Sequence, residues 1–196
     1  MSASGQRTHT EYWFPKRYAD FVQRLRVACG FLLLAAFAWL AEPTRASIVS
    51  GLPFSIFGLW LRAWAAGHLA KDRQLAVTGP YAYMRNPLYA GTVMVAAGIV
   101  IASRSPWLAA IFVIVFSLVY LPAIELEEHH LRGIFPAYAL YANQVHRFLP
   151  FVKWKGRTGE FSWTFYRRNE EYKALIGFLF ASALLIWKCW FRETAS

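Results

Sequence analysis

Charged and aromatic side chains border apolar segments at three separate places in this sequence, and together they could bind a ligand. Arg62 lies near the end of one apolar run, and an acidic group, Glu125, Glu127 and Glu128, ends another. Between them lies the tyrosine-rich segment Gly79–Gly91, which reads GPYAYMRNPLYAG. Charges near membrane depth are costly and usually mark a site. Opposite charges beside tyrosine rings suit a polar, zwitterionic or cationic ligand.

The segment Gly79–Gly91, called the corner below, is predicted to be a turn that leads into an apolar helix. Its first two residues, Gly79 and Pro80, are typical of a turn. A proline keeps the residue before it out of the α region and is common at the first helical position. Asn86 is therefore predicted to be non-helical and Pro87 to begin a helix. Polar loops held by a rigid scaffold often carry binding residues.

The composition indicates a membrane protein. Of the 196 residues, 57% are hydrophobic and only 16% are charged, whereas a soluble domain has about 25% charged residues. The net charge of +10 could suggest nucleic acid, but most basic residues flank apolar runs, as membrane topology demands. Nucleic-acid binding is therefore not expected. No metal site is expected either, because the adjacent His129 and His130 point to different helix faces without a further ligand at a usual spacing.

Five apolar runs predict an all-α integral membrane bundle of about five transmembrane helices. The tight turn Ser103–Pro106 is expected to join the third and fourth helices as a hairpin. The runs cover about residues 27–41, 48–69, 79–102, 107–124 and 174–191.

We expect a single membrane domain that covers residues 1–196. Aromatic residues from Tyr138 to Phe148 recur at the spacing of one helical face, which predicts an amphipathic helical cap across the cytoplasmic mouth of the bundle. The predicted parts are a cytoplasmic N-terminal arm (1–26), a four-helix membrane core (27–124), a cytoplasmic cap segment (125–170) and a fifth span (171–191).

The loop charges predict the orientation of the bundle. Lysine and arginine are concentrated in the second and fourth loops, whereas the first and third loops each carry a single arginine. Because cytoplasmic loops are enriched in these residues, the N-terminus and the even loops are predicted to be cytoplasmic. Five spans would then place the C-terminus outside. The corner and the acidic group share the cytoplasmic end.

Several short motifs follow one another between about residues 55 and 150. They are Gly79-Pro80-Tyr81, Arg85-Asn86-Pro87-Leu88-Tyr89-Ala90-Gly91, Glu127-Glu128-x-x-Leu131, Tyr138-x-x-Tyr141 and Val145-x-Arg147-Phe148-x-Pro150. In this order, and at the ends of membrane helices, they resemble the superfamily of isoprenylcysteine carboxyl methyltransferases and phospholipid methyltransferases. The resemblance implies an integral membrane methyltransferase that uses S-adenosyl-L-methionine. The absence of a GxGxG-type loop after a strand agrees with a fold unlike that of soluble methyltransferases.

The resemblance also implies which residues form the site. The candidate catalytic residues are Arg85 and Glu128. Arg85 is expected to fix the local geometry or to bind the carboxylate of the cofactor. Glu128 is the nearest candidate to assist an amine acceptor, which must be deprotonated before it is methylated. The candidate cofactor-binding residues are Leu75, Tyr81, Asn86, Pro87, Leu88, Tyr89, Glu127 and Glu128.

Two positions depart from the isoprenylcysteine enzymes, which usually have histidine where this chain has Asn86 and, in eukaryotes, arginine where it has Ala123. Asn-Pro is closer to the phospholipid N-methyltransferases. Arg62 or Arg147 could replace the missing substrate-binding arginine. Arg62 is equally consistent with a snorkelling side chain, and Arg147 with contact to lipid headgroups.

The expected partner is a lipophilic small molecule or a lipidated substrate within the membrane. A small lipid, a quinone-like compound, a phospholipid amine and a prenylated thiol-acid all remain open as acceptors, and the oligomeric state is not predicted. Two alternatives belong to other classes. One is a nicotinamide-dependent membrane reductase resembling the sterol reductases. The other is a membrane scaffold that binds neither S-adenosyl-L-methionine nor a nicotinamide cofactor.

Overall fold

The structure is a computed structural model that describes residues 15, 17–18, 21, 32–151, 153–154 and 159–195. Throughout these residues the regular secondary structure is helical. A 3₁₀ turn, Gly79–Ala82, precedes the third helix, and a π-helical turn, Phe116–Tyr120, lies within the fourth. The helices are α1 (residues 32–40), α2 (Arg45–Ala66), α3 (Pro87–Ser103), α4 (Pro106–Ile134), α5 (Tyr138–Gln144), α6 (Trp163–Arg168) and α7 (Tyr172–Ala195).

Three of these helices, α2, α4 and α7, are long and apolar enough to cross a membrane, and α3 is a shorter apolar helix. This chain is therefore a multi-pass membrane protein, and the prediction of an all-α membrane bundle is confirmed. The prediction of about five spans is confirmed only in part, because α3 has 17 residues. At 1.5 Å each they reach about 26 Å, slightly less than the hydrocarbon core. Most of the predicted N-terminal arm and residues 27–31 of the first span lie outside the described residues.

Helices α2 and α3 pack closely along a seam of small residues. A Cβ atom on Gly58 would lie 2.7 Å from the carbonyl oxygen of Gly91, and a Cβ on Gly91 would lie 2.7 Å from that of Gly58. Further along the seam, the Ser55 hydroxyl donates to the Val95 carbonyl at 2.8 Å. Small residues let membrane helices approach until their backbones touch. The main packing partner of α3 is thus α2. The predicted turn between α3 and α4 is also present: Arg104 lies in the left-handed region, and the Ser105 side chain caps α4.

The corner has the predicted conformation. Gly79 has a φ of +58°, and the 3₁₀ turn begins there. Asn86 lies outside the α region, with φ −122° and ψ 55°, and α3 begins at Pro87. A side chain at Gly79 would also collide with the imidazole of His68, since an added Cβ would lie 2.6 Å from its ring. The corner therefore depends on a glycine both for its backbone conformation and for space.

The helix that contains the predicted fourth span continues into the predicted cap segment. The fourth span was expected to end at about residue 124, but α4 continues to Ile134. Glu125 and Glu128 are both buried, on one face at a spacing of i, i+3. Because these carboxylates face the protein interior, they do not end the helix. The acidic group therefore belongs to the last turns of α4.

The amphipathic helix predicted from Tyr138 to Phe148 is shorter than expected. Helix α5 ends at Gln144, and Val145 is extended. The chain leaves the helix because its next carbonyls accept hydrogen bonds from the corner: the amide of Arg85 donates to the His146 carbonyl at 2.9 Å, and that of Asn86 to the Arg147 carbonyl at 3.1 Å. The predicted apolar face exists, with Tyr138, Tyr141 and Val145 buried in one cluster.

Helices α2 and α4 end, and α3 and α7 begin, at the same end of the bundle. This end is called the site end below. It carries the corner, the last turns of α4 and helix α5. The assignment of this end to the cytoplasm stays a prediction, as does the division of the chain into an arm, a core, a cap and a fifth span.

We expect Gly58→Ala to weaken the bundle. The added methyl would meet backbone atoms of Gly91 and Val95, both at 2.7 Å, so the two helices would have to separate. Overpacking of this kind lowers the free energy of unfolding by about 1–3 kcal/mol. Detergent-induced unfolding followed by circular dichroism would measure the loss. Gly177→Ala is the matched control, because nothing lies within 4 Å of a Cβ there. An equal loss in both variants would contradict the glycine seam.

Candidate functional site

The site end is built around the carboxylate of Glu128, whose side chain is only 3% exposed. Arg85 from the corner donates through Nε to Oε1 at 3.1 Å and through Nη2 to Oε2 at 3.3 Å. Asn86 donates through Nδ2 to Oε1 at 2.9 Å. Arg147, from the extended segment after α5, donates through Nε to Oε2 at 3.2 Å. Three side chains from two separate segments thus converge on one buried carboxylate of α4.

Arg85 ties the corner to α5 as well as to α4. Its Nη1 donates to the carbonyl oxygens of Ala142 and Val145, the latter at 3.1 Å. These are carbonyls at the C-terminal end of α5, where positive charge is favoured by the helix dipole. The guanidinium therefore links the corner to two other elements, α4 and the end of α5. These contacts are compatible with the first of the two roles that the resemblance implies, the fixing of local geometry, and the role itself stays a prediction.

Asn86 is buried and serves as a bridge. Its side chain binds Glu128, and its backbone amide binds the carbonyl of Arg147. An asparagine amide donates hydrogen bonds without titrating near neutral pH. The donor in this contact therefore does not change its charge near neutral pH.

Glu127 faces a different environment from Glu128, although the two are adjacent in the chain. Glu127 is exposed, and its Oε2 accepts a hydrogen bond from the Tyr89 hydroxyl at 2.9 Å. The ring of Tyr89 lies edge-on to that of Tyr120, with centroids 6.4 Å apart. An accessible carboxylate thus stands beside aromatic rings at the start of α3. This arrangement can attract hydroxyl donors and cations.

Aromatic side chains continue from Tyr120 along α4. The rings of Tyr120 and Phe116 stack at 6.2 Å, and those of Phe116 and Phe112 at 6.3 Å. Phe148 packs against Phe116 at 6.4 Å. All of these side chains are half-buried. The stripe therefore leads along the outside of the bundle toward Tyr89 and Glu127.

Tyr81 links the corner to α5. It is buried, and its carbonyl accepts a hydrogen bond from the Tyr141 hydroxyl at 2.6 Å. Burial raises the pKa of Tyr81 well above its usual range, and burial also raises the pKa of Tyr141. Both phenols are therefore neutral hydrogen-bond donors at physiological pH. Leu75 packs against the cluster of Tyr138 and Tyr141.

The Tyr138 hydroxyl is buried and has no hydrogen-bond partner among the described residues. Burial first, and then the negative charge of Glu128, raise the pKa of Tyr138. A neutral donor is thus placed in the surroundings of the central carboxylate. The guanidinium of Arg132 lies 5.9 Å from the centre of its ring.

Arg62 has an internal partner that the sequence analysis did not identify. Its Nε donates to Oε2 of Glu171 at 2.9 Å and its Nη2 to Oε1 at 2.8 Å. The two side chains are 20% and 8% exposed. Burial raises the pKa of Glu171, and the charge of Arg62 opposes that shift. The substrate role of Arg62 stays a prediction. One signal could have revealed the pair: Glu171 directly precedes the last apolar run, at the same end as Arg62.

The predicted site residues fall into two groups by position. Arg85, Asn86, Glu128 and Arg147 meet in one cluster, and Tyr89 meets Glu127 beside it. Pro87 is buried at the first position of α3, and the Leu88 carbonyl faces Arg62. The roles of all these residues stay predictions. The described residues contain no group of three or more His, Cys, Asp or Glu side chains that could hold a metal ion.

These features define a multi-pass helical membrane protein with a polar site at the ends of its helices. Comparison with known sequences adds a family match: residues 46–138 match the phospholipid methyltransferase family, which confirms the resemblance over this part of the chain. The matched region begins in α2 and ends at the first residue of α5. It contains the corner and the adjacent Glu127 and Glu128, called the acidic pair below, but it excludes Arg147 and Glu171.

Two curated proteins are similar over about half of the chain. One is the nickel-cobalt-cadmium resistance protein NccN of Alcaligenes xylosoxydans xylosoxydans, 31% identical over 57% of this chain and 52% of its own length. The other is the cobalt-zinc-cadmium resistance protein CzcN of Cupriavidus metallidurans, 30% identical over 54% of this chain and 47% of its own length. The alignments thus span about half of each relative. No solved structure matches the chain significantly.

We expect Glu128→Gln to destabilise the protein strongly. The variant would leave Arg85 and Arg147 without the buried carboxylate that they share. Breaking a buried ion pair by removing one partner costs about 3–5 kcal/mol. The loss would be measured as the shift in detergent-induced unfolding. Glu170→Gln is the control, because Glu170 forms an exposed pair with Lys173 and exposed pairs contribute little. Similar unfolding of both variants would show that Glu128 does not hold the cluster together.

Proposed function

We propose that this protein is a methyltransferase that transfers a methyl group from S-adenosyl-L-methionine to a lipophilic acceptor in the membrane. The observation that carries the proposal is the match of residues 46–138 to the phospholipid methyltransferase family. The geometry supports it, because the family-like residues of the corner and the acidic pair meet at one end of the bundle.

The donor set at the site end fits this cofactor. The exposed carboxylate of Glu127 suits hydroxyl donors such as those of a ribose. The rings of Tyr89 and Tyr120 suit a sulfonium cation. Arg147, 28% exposed in its side chain, suits a carboxylate. The site thus offers a partner for three polar parts of S-adenosyl-L-methionine: the ribose hydroxyls, the sulfonium and the carboxylate.

When bound, the cofactor supplies a methyl group on a positively charged sulfur, and transfer to the acceptor leaves S-adenosylhomocysteine. The protein then has two tasks, alignment of the reactants and exclusion of water. Glu127 and Tyr89 would bind, and the rings near them would limit access of water. The buried cluster around Glu128 would hold these groups in place.

Glu128 is better suited to positioning than to proton transfer. Its two oxygens already accept hydrogen bonds from Arg85, Asn86 and Arg147. A base needs a free lone pair within hydrogen-bond reach of the proton that it removes. We therefore assign Glu128 to the support of the corner, and its role toward an amine acceptor has no support in the geometry.

The proposed acceptor is lipophilic and enters from the bilayer. The half-buried stripe of Phe112, Phe116 and Tyr120 leads along α4 toward Tyr89. Such a surface would accept a hydrocarbon chain or a ring without the cost of dehydrating polar groups. Asn86 favours a phospholipid amine over a prenylated thiol-acid, in line with the family that residues 46–138 match.

We expect S-adenosylhomocysteine to stabilise the purified protein in detergent, and NADPH not to do so. A ligand that binds only the folded state adds about 2.7 kcal/mol at 100 times its dissociation constant, which a thermal unfolding curve resolves. Glu127→Gln should weaken binding about 10- to 100-fold, because a hydrogen bond to a charged group contributes about 1.5–3 kcal/mol. Glu170→Gln should bind like the wild type. Stabilisation by NADPH would favour the reductase, and stabilisation by neither compound would favour the scaffold.

The reaction itself can be tested with labelled methyl donor. Membranes that contain the protein should transfer the methyl label of S-adenosyl-L-methionine to a species that extracts into organic solvent, and membranes with Glu127→Gln should transfer less. Chromatography and mass spectrometry of the labelled species would identify the acceptor. Label confined to water-soluble products would contradict a lipophilic acceptor.

A further inference from the structure

We propose that Glu171 is a positioning residue for the proposed methyltransferase site, and that it acts through Arg62 on the first turn of α3. This inference rests on the proposed function. Glu171 lies outside the region that matches the family, immediately before α7. The C-terminal part of the chain would thus complete a site whose other residues lie mainly within the matched region.

The guanidinium of Arg62 connects two elements at once. Two of its nitrogens hold the carboxylate of Glu171 in a bidentate pair at 2.8 and 2.9 Å. The third, Nη1, donates to the carbonyl of Leu88 at 3.4 Å and to the hydroxyl of Thr92. A bidentate pair fixes the plane of the guanidinium as well as its position. Glu171 therefore determines where the third nitrogen meets α3.

The place where Arg62 crosses α3 is shaped for its side chain. An added Cβ on Gly91 would lie 2.6 Å from Cγ of Arg62. The aliphatic part of Arg62 therefore occupies the space that a side chain at position 91 would need. Gly91 is part of the corner, so the corner and Arg62 fit each other directly.

The first turn of α3 carries the residues of the site. Leu88 and Thr92 are one turn apart on the face that meets Arg62, and Thr92 also donates to the Leu88 carbonyl at 2.9 Å. Tyr89 lies about 100° further around the helix and binds Glu127. A rotation of α3 would therefore displace the Tyr89 hydroxyl from Glu127. The contact with Arg62 opposes that rotation.

The segment that carries Glu171 is itself anchored to the end of α2. The side-chain amide of Asn169 donates through Nδ2 to the carbonyls of Ala66 and Leu69, both at 2.9 Å. The backbone amide of Ser162 donates to the Gly67 carbonyl at 2.9 Å. These bonds are made to carbonyls at the C-terminus of α2 and just beyond it, where backbone carbonyls lack partners within the helix. Glu171 is thus held against the helix that carries Arg62.

The test uses three substitutions in the full chain. Glu171→Gln keeps the shape of the side chain and removes its charge. Thr92→Val keeps the ion pair and removes its hydroxyl contact on α3. Glu170→Gln is the control, because Glu170 is an exposed neighbour that pairs with Lys173. Each variant is measured by hydrogen–deuterium exchange over residues 86–92 and by calorimetric titration with S-adenosylhomocysteine.

We expect Glu171→Gln to speed hydrogen–deuterium exchange of the backbone amides over residues 86–92. It should also weaken binding of S-adenosylhomocysteine about tenfold or more, because small displacements of site residues have large effects on a site. Exchange at the far end of α3, residues 98–103, should not change. Thr92→Val should shift both measurements in the same direction by less, and Glu170→Gln should match the wild type. A purely structural pair would lower the unfolding temperature and leave the dissociation constant within about twofold of wild type.

The outcomes separate the two proposals. If the wild type binds S-adenosylhomocysteine and Glu171→Gln binds it equally well, the positioning role is overturned and the proposed function stands. If the wild type itself binds none, the proposed function fails, and the positioning role fails with it. Faster exchange throughout the chain in Glu171→Gln would also overturn the positioning role, because it would indicate general loosening.

Discussion

The site end depends on one constraint, which is that the buried carboxylate of Glu128 must be neutralised. Removing a carboxylate and a guanidinium from water costs several kcal/mol for each ion, and only good geometry with further hydrogen bonds offsets that cost. Here Arg85, Asn86 and Arg147 supply that geometry. Because they come from the corner and from the segment after α5, the carboxylate determines how both segments lie on α4.

The parts of the fold that the sequence predicted correctly depend on local chemistry. Proline at position 87 excludes Asn86 from the helix and begins α3, and glycine at position 79 permits a left-handed turn. Neither effect requires knowledge of distant residues. The apolar runs likewise predicted the long membrane helices, because hydrocarbon imposes the same length on every span. The order of the motifs was sufficient for the resemblance, which the match of residues 46–138 to the phospholipid methyltransferase family confirms over that part of the chain.

The parts that the sequence did not predict depend on pairing between distant residues. The predicted fourth span ends at about residue 124, whereas the helix itself continues to Ile134, with Glu125 and Glu128 facing the interior. The length of α5 was overestimated, because the helical spacing of the aromatic residues does not show that the carbonyls of His146 and Arg147 accept hydrogen bonds from the corner. Arg62 and Glu171 form a pair across 109 positions, and no local pattern connects them. In each case a tertiary contact overrode a local preference.

The adjacent residues Glu127 and Glu128 lie in different surroundings. Consecutive helical residues point about 100° apart, so Glu128 turns into the bundle and Glu127 turns outward beside Tyr89. The buried carboxylate is matched by two guanidinium groups, and these three ionised groups together carry a net positive charge. The exposed carboxylate provides a separate negative region. These two regions are complementary to a ligand whose cation lies beside hydroxyls and whose carboxylate lies further along, as in the proposed cofactor S-adenosyl-L-methionine, where the sulfonium lies beside the ribose and the carboxylate belongs to the methionine end.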